Sequence, residues 1–319
     1  MSNHAPLQTA ILRTLAYYDV FSYPLTIDEL WRWLWPAPGE SIAGATPDDV
    51  RALVQSDGLR DQVTLTGEMV TLRGREELVT IREQRYEMNQ KKWKRAESAA
   101  RFLELVPFVK MVAVANTLAI NNARSESDID FFIITSRQHI WIARFLVTGI
   151  VSLLGWRRHG QKIQNRICLS FYVSSDALNL APLQSSSPDT HLMFWASQLV
   201  PLMVDADMYT KYKEANDWVT AALPNAWPEK PQRLQTPNSS LRSIKRFYEV
   251  FLSSPIGLMI ENWARTRQLK KMEANVSSRA KEGTTDVIVS EEVLKFHEAD
   301  RRKDYNAAVK ERLTSLHLE

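Results

Sequence analysis

The sequence predicts a multidomain α+β/α/β chain. In it, a helical head carrying a β-hairpin is joined by one long helix to a small mixed sheet, followed by a helical C-terminal region. Three observations predict this. Hydrophobic spacing is helical near the N-terminus and then becomes short apolar runs alternating with helical stretches. Residues 75–105 contain neither proline nor glycine. Charge is divided unevenly: residues 1–72 carry four arginines against nine acids, a net of −5, so a chain of net +3 has +8 in its remainder.

The head comes first. Ile11, Leu12, Leu15, Ala16 and Val20 recur at helical spacing. Thr26 stands as a helix N-cap with Asp28 and Glu29 in the first turn. Thr46-Pro47-Asp48-Asp49 starts another helix, with proline at its first position. Val63-Thr64-Leu65 and Met69-Val70-Thr71-Leu72 flank a Gly67 turn and read as a hairpin. Three helices and a hairpin are the pattern of a winged helix, expected over residues 1–74. Its third helix holds only Arg51 against Asp48 and Asp49, so no DNA binding by the winged helix is expected. Trp31, Trp33 and Trp35 are expected in the core or at an interface.

A connecting helix is expected over 75–105, its basic knot of Lys91, Lys92, Lys94 and Arg95 forming a solvated face, with nucleic-acid contact as the alternative. Residues 109–115, 129–135 and 167–173 read as strands, with a helix from Ile140 between the last two. They place an α/β core at 106–185. Residues 186–319 are expected to be a helical region with a polar tail, broken by a proline-rich stretch at 224–237. Within it, 286–290 reads as a strand and 291 onward as a helix. His297 and Asp300 would share a face of that last helix.

Composition excludes several functions. Cys168 is the one cysteine, which rules out disulfide frameworks, cysteine-cluster zinc sites and iron–sulfur centres. No two glycines lie closer than five residues, so no dinucleotide-binding fingerprint exists. Gln161 stands where a P-loop following Gly155 and Gly160 needs lysine. Residues 140–156 include Arg144 and are too short for a membrane span, so a buried or interfacial helix is expected, with no transmembrane segment. Residues 1–8 lack a secretory pattern, and a cytoplasmic location is expected.

The chemistry concentrates in residues 116–134. Asp128 and Asp130 stand two apart at the start of a strand and so point to one face. Two such acids repel unless a cation lies between them, and Mg²⁺, which prefers oxygen ligands and is often shared with phosphates, is the natural one. The strand, the Asn116-Thr117 turn, the spacer and Ser127-Asp128-Ile129-Asp130 resemble the DNA polymerase beta-like nucleotidyltransferases. The resemblance is specific over residues 109–136, loose over 137–225 and architectural elsewhere.

That resemblance implies Mg²⁺- or Mn²⁺-dependent transfer of a nucleotidyl group from a nucleoside triphosphate, ATP foremost, to an acceptor hydroxyl on a protein, RNA or small molecule. Asp128 and Asp130 would hold the metal, and Asn116 and Thr117 would contact phosphates where the family has Gly-Ser. Arg124 and Lys162 are candidate phosphate ligands, as are Arg137 and Arg166. The family's third acid has no counterpart on the strand at 166–173, while Glu126 and Asp176 lie nearby in sequence. A catalytically impaired nucleotide sensor or interaction module is the competing expectation.

Overall fold

The structure is a computed structural model that describes residues 4–228, 231–236, 238–273, 286–296 and 301–318. The chain begins with α1 (His4–Val20), β1 (Leu25–Thr26), α2 (Ile27–Arg32), α3 (Pro47–Val54), β2 (Val63–Thr66) and β3 (Met69–Leu72). Both expected caps form as capping boxes. The Thr26 hydroxyl accepts from the Glu29 amide at 3.2 Å while the Glu29 carboxylate accepts from the Thr26 amide at 2.9 Å. Thr46 and Asp49 repeat the arrangement. Gly67 supplies the left-handed conformation of the hairpin turn. The two-residue β1 was not expected. It pairs with β3 and completes a three-stranded antiparallel sheet in the order β1-β3-β2.

Next comes α4 (Glu77–Leu103), 27 residues and therefore about 40 Å long. Then follow β4 (Val109–Val114), α5 (Asn116–Ala119), β5 (Ile129–Thr135), α6 (Ile140–Leu153), β6 (Ile167–Ser174), α7 (Thr190–Ser197) and β7 (Val200–Val204). The remaining elements are α8 (Met208–Ala215), α9 (Asp217–Thr220), α10 (Ser239–Leu252), α11 (Pro255–Glu273), β8 (Val287–Val289), β9 (Val293–Phe296) and α12 (Arg302–Ser315). Six strands form one mixed sheet in the order β7-β4-β5-β6-β9-β8. β5 and β6 are parallel, and the other pairings are antiparallel.

Two expectations fail at the sheet's edges. Residues 200–204 lie in a stretch read as helical, and their apolar side chains form β7 beside β4. The helix expected from residue 291 is instead β9, because Val293, Leu294 and Lys295 pair with Val173, Tyr172 and Phe171. Local helical spacing yields there to a free sheet edge that needs partners. The helix begins only at Arg302, and His297 and Asp300 lie outside the described residues. The expected core at 106–185 thus supplies three strands of the sheet, and residues beyond 185 supply the rest.

The sheet buries both faces. Met111, Ala113, Phe132, Ile134, Phe171 and Val173 share one apolar core with α1, α7, α8, α12 and the three-stranded sheet. Val112, Val114, Phe131, Ile133 and Tyr172 pack on the other side against α4 and α6. The acidic head is therefore fused to one face of the large sheet. Trp33 and Trp35 are buried in this shared core, and Trp31 packs against it. Ion pairs reinforce the join: Arg82 of α4 holds Glu29 at 2.6 Å, and buried Asp19 is held by Arg75 at 2.8 Å and Arg312 at 2.7 Å.

A remote side chain caps α6. Residue His139 offers no side-chain cap, and Glu261 of α11 instead accepts from the amides of Trp141 and Ile142 at 2.9 and 2.8 Å. Burial pushes the Glu261 carboxyl up to about 7. An acid whose folded value is raised binds its proton more readily when folded, so its contribution to stability falls as pH rises from about 4.3 to about 7. Wild type is therefore expected to lose stability relative to Glu261→Gln, by on the order of 3 kcal/mol, as pH rises across this window. Thermal unfolding at several pH values checks this, and a constant difference between the two proteins contradicts it.

Candidate functional site

Asp128 and Asp130 stand at the entry of β5, on the face shared by Phe132 and Ile134. Their position depends on the parallel neighbour. Ile129 is in register with Ile167 and Asp130 with Cys168, and an extra residue then enters β6 so that Phe132 faces Phe171. This bulge keeps Cys168 beside Asp130 and still returns Phe171 to the apolar core. One ligand atom each from Asp128, Asp130 and Cys168 lies within 4.8 Å of the others. This is the one such cluster among the described residues.

Burial, then the charge of Asp128, pushes the Asp130 carboxyl up to about 6, against the opposing pull of hydrogen bonds from Asn116 and Cys168 and the charge of Arg158. Burial and the same two acids push the Cys168 thiol up to about 12. It therefore stays protonated at neutral pH. Arg158 reaches Asp128 Oδ2 at 2.6 Å and lies 3.8 Å from the Cys168 sulfur. It supplies the positive charge that two adjacent carboxylates require.

Asn116 adopts a left-handed conformation, with φ of 56°, as asparagine does more readily than most residues. Its side-chain oxygen accepts from Trp195 Nε1 at 2.6 Å, which leaves its amide to Asp130. The loop before the acids is held from below by α4. Buried Lys92 donates to the carbonyls of Ser125 and Ser127 at 3.1 and 2.6 Å and to Asn165 Oδ1 at 2.8 Å. Arg95 donates to the Asn165 carbonyl at 2.8 Å, and Trp93 to Asn121 Oδ1 at 2.6 Å. Half of the expected solvated basic face is thus internal scaffolding, because its cations meet backbone carbonyls that helices and strands leave unpaired. Lys91 and Lys94 are exposed as expected.

Asp128, Asp130, Asn116, Thr117 and Cys168 line a cleft of about 790 Å³. Its walls come from distant parts of the chain: Tyr17 of the head, His191 and Trp195 of α7, Lys295 of β9, and Tyr305 of α12. Arg144, Arg157, Arg158, Lys295, Arg301 and Arg302 are its cations, so bases outnumber acids along it. Arg124 and Lys162 are exposed and do not line it. Arg137 is paired with Asp176 at 3.2 Å, and Arg166 also lies outside the lining. Glu126 and Asp176 stand apart from the cluster at Asp128. Sequence reasoning missed Arg158, whose available signal was the Arg157-Arg158 doublet ten residues before Cys168. Lys295 was hidden by the helical reading of its strand.

Lys92→Met keeps the side chain's volume and strands three oxygen acceptors. A destabilisation on the order of 3 kcal/mol is expected, together with faster amide exchange at Ser127 and Ile129. Denaturant unfolding and hydrogen exchange measure the two effects, and unchanged exchange contradicts the buttressing role.

No protein-family model, curated protein or solved structure matches this chain. The reading of the site therefore rests on its own geometry.

Proposed function

We propose that this protein is a Mg²⁺- or Mn²⁺-dependent nucleotidyltransferase of the polymerase beta-like type, moving a nucleoside monophosphate from a triphosphate, ATP foremost, to an acceptor hydroxyl. The observation that carries the reading is the pair Asp128 and Asp130, held at one end of a cation-lined cleft large enough for a nucleotide.

The donor set fits a hard divalent ion. Two carboxylates supply oxygen, and burial, then the charge of Asp128, makes Asp130 hold its proton more tightly than a free carboxyl. Asp128 and Asp130 would hold the metal, which would neutralise charge on the triphosphate and on the leaving pyrophosphate. The acceptor hydroxyl would give its proton to solvent, and its oxygen would bond to the α-phosphorus as the bond to pyrophosphate breaks. Asn116 orients Asp130, and the Thr117 hydroxyl is available to a phosphate. Arg158 exchanges its pairing with Asp128 for phosphate oxygens, which its fork suits.

The head, read as a winged helix, serves here as a wall of the cleft. Arg51, the basic residue of α3, is bound to Glu68 at 2.6 Å, which supports the expectation that this helix does not engage DNA. One observation favours a second reading, a catalytically impaired nucleotide sensor: Cys168, a protonated thiol, occupies the position in register with Asp130 where a third carboxylate would stand. No described carboxylate replaces it.

Asp128→Asn and Asp130→Asn are each expected to weaken Mg²⁺-dependent ATP binding by at least tenfold while leaving the fold intact. Loss of an outer-shell partner alone costs about 10–100-fold at metal sites. Calorimetry with ATP and Mg²⁺ decides it, and unchanged affinity sinks the metal assignment. Cys168→Asp restores a third acid and is expected to raise transfer of radiolabel from a triphosphate by roughly tenfold or more, the scale of acid–base assistance. If neither protein labels any acceptor in cell extract although both bind ATP, the sensor reading holds instead.

A further inference from the structure

α10 and α11 bury several polar side chains, and each carries a stripe of exposed apolar ones. In α10, Ile244, Phe247, Tyr248 and Phe251 follow the spacing of one helical stripe and are all exposed, Phe247 by 70 %. The opposite side is polar and buried. Lys245 donates to the Val109 carbonyl at 2.5 Å, and Glu249 accepts from the Phe108 amide at 2.8 Å and pairs with Lys110. α11 packs Ala264, Ile260, Leu269 and Met272 on the core and keeps a second exposed stripe. Glu261 and Gln268 face inward, capping α6 and donating to the Trp141 carbonyl, while Ile256, Met259 and Trp263 face outward, Met259 by 71 %. The fold's own cores gain nothing from either stripe.

The two stripes lie on consecutive helices that pack against each other. A Cβ on Gly257 would fall 1.7 Å from the Leu252 carbonyl oxygen, so the corner between the helices closes only with glycine there. Phe145 of α6 extends the patch, its ring edge-on to Trp263 with centroids 5.2 Å apart. An apolar area of this kind on two adjoining helices marks an interaction surface.

Charge identifies the occupant. The exposed charged side chains of the two helices are Arg242, Arg246, Arg265, Arg267, Lys270 and Lys271 against Glu273 alone, with Arg265 already paired to Glu291. On α11 the outward face changes character along its length: Ile256, Met259 and Trp263 continue at the same spacing into Arg267 and Lys270. The apolar part spans about 10 Å and the basic part about 5 Å. Two-fold pairing with a second copy would set these like charges near one another. An anionic bilayer offers hydrocarbon to the stripe and phosphate to the basic end, with tryptophan at the boundary between them.

We propose that the α10–α11 face docks this protein on anionic lipid bilayers. No helix is long and apolar enough to cross a membrane, so the contact is peripheral. It is independent of the nucleotide chemistry assigned to the cleft.

Vesicle flotation with the full chain tests it. The protein is expected to float with phosphatidylcholine vesicles containing one-third phosphatidylserine and to remain behind with phosphatidylcholine alone. The double variant Phe247→Glu/Met259→Glu replaces only exposed side chains and is expected to lose at least tenfold in partitioning, with an unchanged circular dichroism spectrum. Arg267→Glu/Lys270→Glu should weaken partitioning by roughly fivefold or more per charge, as should added salt. A wild type that ignores anionic vesicles overturns the proposal, as does equal binding to neutral ones. A dimer in sedimentation that Phe247→Glu dissolves, without vesicle binding, assigns the face to a second copy and also overturns it.

Discussion

Two carboxylates held within a few ångströms of each other in a partly enclosed cleft are unfavourable unless positive charge is supplied, and the surroundings of Asp128 and Asp130 answer that constraint. Arg158 pairs with one acid. Asn116 and Cys168 donate to the other, and the proton binds Asp130 more tightly than a free carboxyl. Each response is local and partial. Together they hold in place two acids that would otherwise repel each other. The site is built at a strand end, and the bulge in β6 lets the polar cluster and the apolar core share one pair of strands without either displacing the other.

The same economy governs the scaffold. The long helix α4 is both connector and buttress. Its apolar positions pack on the sheet, while Lys92 and Arg95 take up carbonyls of the loops that carry the acids. A flexible spacer thereby becomes a fixed one. Because Lys92 is buried, its ammonium is satisfied by those oxygens, and the loop carbonyls in turn take their donor from it. The two interactions are mutually required.

Fusion of the acidic head to the sheet gives the cleft its far wall. Tyr17 stacks on Phe194 of α7 with ring centroids 3.7 Å apart, and α12 packs against α1, setting Tyr305 beside Phe21 and His191 on the same wall. Residues separated by most of the chain's length therefore surround the two acids. A head joined only by a linker would leave the cleft open. The shared core makes head, sheet and C-terminal helix one packed unit on that face.

The sequence alone determined whatever depends on near neighbours. The capping residues Thr26 and Thr46, the Gly67 turn, the unbroken helix after residue 75, the alternation of β5 and the common face of Asp128 and Asp130 all follow from local sterics and spacing. Tertiary structure decided what depends on distant partners. It made a strand of residues 293–296 by offering a sheet edge, and it placed Arg158 and Cys168 beside the acids while leaving Arg124 and Lys162 outside. It also converted Lys92 from a solvated charge into a buried support. The physical reason is common to these cases: a backbone conformation is limited by its immediate neighbours, whereas the partner that satisfies a charge or a strand edge can come from any part of the chain that packing brings within reach.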